Sequence, residues 1–263
     1  MKIYDITTFN GESEIFELRY QILKDFVDEF RVIEFDKTFS GKDKFMRPLH
    51  LVWPLKVKHY LITEDIWSKY EDLAKSSPNT EYGKGAEHWV REFCQKESIK
   101  DCLTDLKDDD MVIIGDCDEI PEIDKPTDSI VLYPSKIKLR VYSYYLNNNS
   151  NEEFWGNLIG TWQDIKGKCL NELRAFAPRI DGYRGWHFTS IGGYENVKKK
   201  LTDSYTSDSY ANDQVLDNLQ DNISNNKDFL GRDFTYKLDE ENWPQYLKDN
   251  KDKYKHLCLQ TTV

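Results

Sequence analysis

The sequence predicts an α/β fold, a single domain over residues 1–263 with a mostly parallel central sheet and an antiparallel extension in its second half. Three observations predict it. Short strand-like runs alternate with amphipathic helical stretches in the first half, the order expected of parallel βαβ units. Met111-Val112-Ile113-Ile114 is an uninterrupted, β-branched apolar run, which reads as a strand covered on both faces. The second half instead alternates in type around an Asn-rich turn, as antiparallel strands do.

Taken in order, Met1 to Ile6 alternates and reads as a first strand. Phe9 to Ser13 is a turn with capping residues. Ile15, Leu18, Ile22, Leu23 and Phe26 then recur at helical spacing, which predicts an amphipathic helix over about 12–27. Arg31 to Phe35 predicts a second strand, and the polar loop from Asp36 to Lys44 contains Thr38-Phe39-Ser40-Gly41. Val57 to Ile62 predicts a third strand. Ser76 to Gly85 is loop by composition, with Pro78, Asn79, Gly83 and Gly85. A helix predicted over about 86–106 presents Val90, Phe93, Cys94, Ile99 and Leu103 and feeds the Met111–Ile114 strand. Ile130 to Leu132 reads as a short strand, and Lys136 to Leu146 as a longer one. Asn147 to Asn151 reads as a turn, and Trp155 to Trp162 as the returning partner. Tyr183 to Thr189 is a further predicted strand, and helices over 209–221 and 244–256 close the chain. The Asn/Asp/Ser-rich stretch 202–228 reads as mobile surface.

Composition narrows the function classes. The chain is long enough for a sizeable core, and with hydrophobic residues at 39% it is not a disordered one. A net charge of −11 and the lack of a basic face stand against a general nucleic-acid binder. Five cysteines, odd in number and without a Cys-x-x-Cys pair, disfavour a disulfide framework and fit a reducing compartment. No apolar run is long enough for a membrane span, and the first residues lack a signal-peptide pattern. A cytoplasmic location is therefore expected.

The chemistry concentrates directly beyond Gly115, at Asp116, Asp118 and Glu119. In an open α/β sheet, ligands bind at the carboxyl ends of central strands. Asp116 and Asp118 stand one residue apart in an extended segment and point to the same side. Two carboxylates there are costly unless something positive holds them, and a hard divalent cation is the usual answer. The plainer alternative is a solvated acidic turn. Cys117, between two carboxylates that disfavour its thiolate, reads as a small buried spacer.

Asp116-Cys117-Asp118-Glu119-Ile120-Pro121 resembles the Asp-x-Asp-Glu-Ile-Pro core of glycosyltransferase family 17, which includes the β-1,4-mannosyl-glycoprotein β-1,4-N-acetylglucosaminyltransferases. Further stretches agree in order and spacing. Phe9-Asn10-Gly11-Glu12 through Glu17-Leu18-Arg19 to Val27-Asp28 is similar to the family's opening. Glu34 with Thr38-Phe39-Ser40-Gly41, and Arg91-Glu92 with Gln95-Lys96, follow as they do there. Gly185-Trp186-His187-Phe188 before Gly192-Gly193 resembles its Gly-Trp-His segment. The resemblance implies a GT-A-like fold, with a nucleotide-sugar-binding half over 1–125 and an acceptor-side half over 126–263. It also implies a UDP-sugar donor, UDP-N-acetylglucosamine in the family's pattern, and manganese or magnesium as the divalent ion. A glycan acceptor and inversion at the anomeric carbon complete the expectation.

On that reading Asp116 and Asp118 bind metal and donor, Asp118 being preferred as the direct ligand. Glu119 either supports them or contacts the acceptor. His187 completes the metal shell or touches the diphosphate, against the plain reading of a satisfied core histidine. Trp186 is a core residue or a sugar-stacking face, with core favoured. Asn10, Glu12, Glu34 and Thr38 fall at the ends of the first two strands, where base and ribose sit in such a sheet. Ordinary capping is the alternative for each. Arg91 reaches phosphate or makes an ion pair, and Arg19 is better read as a structural pair. The base departs from the family's pattern, which carries a His-x-Glu element after the Gly-Gly segment. Here Ser204 to Asp213 holds neither residue. Asp213, which begins a helical pattern, is preferred as the substitute, then Asp208, then Glu119. Two rivals stand beside this reading. One is a haloacid-dehalogenase-type phosphatase, which also opens on Asp-x-Asp but near its amino terminus. The other is a non-catalytic carbohydrate-binding relative that uses the aromatic residues for recognition.

Overall fold

The computed structural model describes residues 1–44, 54–77, 87–123, 133–206 and 209–260. The predicted strand Ile130–Leu132, most of the predicted loop Ser76–Gly85, and Asp208 lie outside the described residues. The first half follows the expected order: β1 (Ile3–Phe9), α1 (Ser13–Leu23), β2 (Glu29–Phe35) and β3 (Val57–Ile62). β1 pairs in parallel with β2, and β2 with β3. Two short helices, α2 (Glu64–Trp67) and α3 (Glu71–Ser76), precede α4 (Glu87–Ser98). Their four- and six-residue lengths are too short to register as helical periodicity. The predicted 86–106 helix gives way at Ile99–Cys102 to a 3₁₀ turn. The chain then enters β4 (Met111–Asp116), which lies parallel to β1 on the side away from β2.

This order sets where ligands bind. One connection from β1 carries α1 to β2, and the later one returns through α4 to β4 on the opposite flank. Ile15, Leu18 and Leu23 of α1 pack with Phe30 and Val32 on one face. Phe93 and Cys94 of α4 pack with Ile6, Ile33 and Ile114 on the other. The strand order therefore reverses between β1 and β4, and their carboxyl ends open a crevice there.

The second half is the predicted antiparallel extension, with one parallel addition. β5 (Glu119–Pro121), β6 (Ser135–Ser143), β7 (Asn148–Ser150) and β8 (Phe154–Thr161) are followed by α5 (Trp162–Ile165), α6 (Leu170–Phe176) and β9 (Arg179–Thr189). α7 (Gly193–Ser204), α8 (Asp213–Ser224), β10 (Tyr236–Leu238), α9 (Gln245–Asp249) and α10 (Lys251–Tyr254) complete the chain. β8 runs antiparallel to both β4 and β6, so it joins the two halves in one sheet. β9 lies parallel to β6 and antiparallel to β5.

The Asn-rich stretch departs from its prediction. Asn148–Ser150 forms β7, paired with β6 and β10, and the chain bends earlier, at Tyr144 with φ 69°. Asn148 is buried, and its amide bonds the Ser143 carbonyl and Asn226. The composition that signals a turn here supplies side-chain links instead. The predicted 244–256 helix breaks at Asn250, whose φ is −120°. α7 escaped prediction, and Leu201 on it packs with Leu219 and Ile223 of α8. Part of the 202–228 stretch read as surface therefore builds a small core. Among the described residues no helix is long and apolar enough to cross a membrane.

Candidate active site

The turn from Asp116 to Glu119 is held from beneath by a buried arginine. Arg19 is wholly buried and gives its Nε and Nη2 to the two carboxylate oxygens of buried Asp5, at 2.7 and 2.6 Å. Its Nη1 donates to the carbonyls of Asp116, at 3.1 Å, and Glu119. The expected structural ion pair thus also sets the path of the acidic turn. Glu119 braces the turn from within. One oxygen accepts from the backbone N–H groups of Asp116 (3.3 Å) and Asn157 (3.0 Å), and the other from Arg174 on α6 (3.0 Å). Two glycines make room for it. A Cβ on Gly115 would lie 2.7 Å from a Glu119 oxygen, and one on Gly156 2.9 Å from its carboxyl carbon. Both oxygens are engaged and Glu119 is only 1% exposed, so its carboxylate faces inward, into the turn.

The two aspartates are held by different cations. Asp116 accepts from the Thr8 hydroxyl at 3.0 Å, and its other oxygen faces Arg174 at 3.3 Å and Lys96 at 3.6 Å. Burial alone would raise its pKa, but Lys96 and Arg174 outweigh it and hold the carboxyl well below the usual range. Asp118 accepts from Lys200 on α7 at 2.6 Å, and its second oxygen lies 3.5 Å from His187 Nε2. Here too burial is overcome, by Lys200 and then His187, and the carboxyl stays ionised. The positive partners that adjacent carboxylates demand are thus present in the chain itself. Cys117 between them is buried, and burial, then Glu12, pushes its thiol well above the ordinary value. It is a spacer, as expected.

A divalent ion fits one part of this arrangement. Asp118 and His187 face each other at 3.5 Å, close to the separation of neighbouring ligands on arms of about 2.0–2.2 Å. The His187 ring is fixed by stacking on Phe154, centroids 4.2 Å apart. Asp116 turns its oxygens to Thr8, Arg174 and Lys96 instead. Among the described residues no three His, Cys, Asp or Glu side chains converge on one point. With one carboxylate and one imidazole from the chain, an ion there would take its remaining ligands from substrate phosphate and water.

Beside Asp118 opens a cavity of about 880 Å³ at the carboxyl ends of β1 and β2. Asn10, Glu12, Glu34 and Thr38 all line it, as the strand-end argument predicts. Glu12 accepts from the Asn10 N–H at 2.6 Å, and burial, then the nearby Asp118 charge, raises its pKa. Glu34 faces His59 at 3.0 Å and Lys44 at 3.2 Å. The far wall is α7, through Lys199, Lys200 and Asp203. Asn10 reaches Asp203 at 3.3 Å, and Ser40 donates to the Thr202 carbonyl, so the loop after β2 and α7 are tied across the opening.

The remaining predicted residues sit apart from the cavity wall. Arg91 donates to the Phe39 carbonyl at 2.6 Å and fills the space over Gly41, whose φ is +91°. It braces the Thr38–Gly41 loop. Trp186 is buried and donates to the Asn242 carbonyl, so it belongs to the core. Asp213 is exposed in the first turn of α8, which Asn212 caps by accepting from the Val215 N–H. Sequence reasoning assigned no role to Lys96, Arg174, Lys200 or Asp203. Lys96 stands within a quoted motif, but Arg174 is an isolated arginine. Lys200 ends a Lys-Lys-Lys run that reads as a solvated face.

Searches for similar curated proteins and for similar solved structures gave no match. The model for Glycosyltransferase family 17 matches residues 1–260 of the chain. With nearly the whole length covered by that match, the chain belongs to glycosyltransferase family 17 and is a glycosyltransferase.

Proposed function

We propose that the chain transfers a sugar, N-acetylglucosamine in the family's pattern, from a UDP-sugar to a glycan hydroxyl with inversion. The observation that carries this reading is the cavity at the switch point, which joins the ends of β1 and β2 to Asp118. Nucleotide binds among Asn10, Glu12, Glu34 and Thr38, and the diphosphate lies toward Asp118 and Lys200. A manganese or magnesium ion at Asp118 and His187 supplies positive charge against the leaving diphosphate. Lys200 adds a second positive charge on the same side, 2.6 Å from Asp118 in its resting contact. Glu119, Arg19 and Arg174 keep the turn in shape and take no part in proton transfer.

The test is thermal denaturation with UDP, with and without manganese. At about a hundred-fold excess of ligand over Kd, binding adds about 2.7 kcal/mol, a rise of several degrees. No rise with UDP in the presence of either metal overturns the reading.

His187→Ala should weaken metal-dependent UDP binding by about ten-fold or more, with a smaller effect on stability, since the ring lies at the edge of the site beside Asp118. A large fall in melting temperature with unchanged UDP affinity would assign it to the core instead. For the base, Asp213 is the substitute carboxylate among the described residues that has solvent access. Asp213→Asn should lower transfer by about 10²–10⁴, with UDP affinity near wild type and α8 intact under its Asn212 cap. Transfer at the wild-type rate rules Asp213 out.

A further inference from the structure

Away from the donor cavity, three strands line up a row of aromatic and cationic side chains. Lys138 on β6 stands opposite Trp155 on β8 and Tyr183 on β9. Its ammonium lies 4.9 Å from the Trp155 ring and 5.2 Å from the Tyr183 ring. Arg179 covers Trp155 at 4.6 Å, and Arg140 covers Tyr183 at 4.6 Å. The order along the surface is Arg179, Trp155, Lys138, Tyr183, Arg140. Tyr183 is 47% exposed, and neither ring belongs to a core cluster.

The row leads back to the acidic turn. Lys136, on the same strand as Lys138, is buried and donates to the Ala175 carbonyl at 2.9 Å. Among the described residues it has no carboxylate partner. Burial, then the charges of Arg179 and Arg174, press its ammonium below the ordinary range. Arg174 in turn contacts Asp116 and Glu119. Among the described residues, Glu153 pairs with Lys138, and Asp181 also lies near it. Three cations, Lys138, Arg140 and Arg179, thus stand along one row of a chain whose net charge is −11.

We propose that this row receives the acceptor, and that the acceptor is an anionic glycan whose carboxylate or phosphate groups meet Arg179, Lys138 and Arg140 while its sugar rings pack beside Trp155 and Tyr183. Flat aromatic faces suit the apolar faces of sugar rings. A local excess of cations on an acidic protein selects for negative substituents and against neutral chains. The proposal rests on the glycosyltransferase reading and supplies the acceptor class that reading leaves open.

Isothermal titration of the full chain with tetragalacturonate, terminally phosphorylated maltotetraose and neutral maltotetraose tests it, with UDP titrated in parallel. At least one anionic probe should bind about ten-fold more tightly than the neutral one at low salt, and weaken as salt rises. Which anionic probe binds identifies the substituent as carboxylate or phosphate. Trp155→Ala should reduce that affinity by about ten-fold. Tyr183→Ala, at a half-exposed position, gives the same reading should Trp155→Ala fail to fold. Equal binding of anionic and neutral probes overturns the proposal, as does wild-type affinity in both ring variants. UDP binding without anionic preference rejects this inference alone. Anionic binding without any UDP binding rejects the donor reading instead.

Discussion

Arg19→Met should cost about 3–5 kcal/mol of stability, because it leaves the Asp5 carboxylate buried without its partner. Both side chains have zero exposure, so no water replaces the lost contact. The carbonyls of Asp116 and Glu119 lose their donor in the same step. For a chain of this length the melting temperature should fall by roughly 10 °C. The double variant Asp5→Leu with Arg19→Met separates two effects. An apolar replacement of a buried pair can restore stability, but it restores no donor to the turn. The double variant should therefore melt near wild type and still bind UDP poorly. A loss below about 1 kcal/mol in the single variant would show that the pair contributes no more than an exposed one.

Asp118→Asn should abolish metal-dependent UDP binding, and with it transfer, while leaving the melting temperature close to wild type. The neutral amide gives up charge that the diphosphate's counter-ion requires. Lys200, 42% exposed, can turn to solvent when its partner is gone. Asp116→Asn should behave differently. Its carboxylate joins Thr8, Arg174 and Lys96, so its loss loosens three supports and costs stability as well as binding. Titration of manganese and UDP against both variants, with melting curves alongside, reads the distinction. If Asp116→Asn removes metal binding and Asp118→Asn keeps it, the roles are reversed. Full wild-type activity in excess EDTA would remove the metal from the reading altogether.

The parallel half was legible because each of its signals is local. Met111–Ile114 reads as buried from four consecutive residues, and the carboxylates follow at once. Asn10, Glu12, Glu34 and Thr38 were placed by the rule that strands expose their ends, which needs no tertiary detail. Lys200 and Arg174 could not be found that way. Each acts only because a distant segment folds against the acidic turn, and each sits in a stretch for which the sequence predicted no element. The Asn147–Asn151 stretch failed for a related reason. Asparagine favours turns through short-range side-chain bonds, but Asn148 spends its amide on Asn226, 78 residues away. Glu119 reads as one more acid beside two others, and only the spaces over Gly115 and Gly156 show that its place is internal.

The supports of the acidic turn arrive from far along the chain, and this has a bearing on synthesis. Arg19 waits for a carbonyl 97 residues later, and Asp118 for an ammonium 82 residues after itself. Domains emerge and pack from the amino terminus, and distant contacts close late. The first three strands and α1 can therefore gather while the ribosome is still at work. The cavity gains its far wall only when α7 has been released. Until then the cavity stands open on that side. A product that stops before Gly193 would lack the wall that Lys199, Lys200 and Asp203 give the cavity.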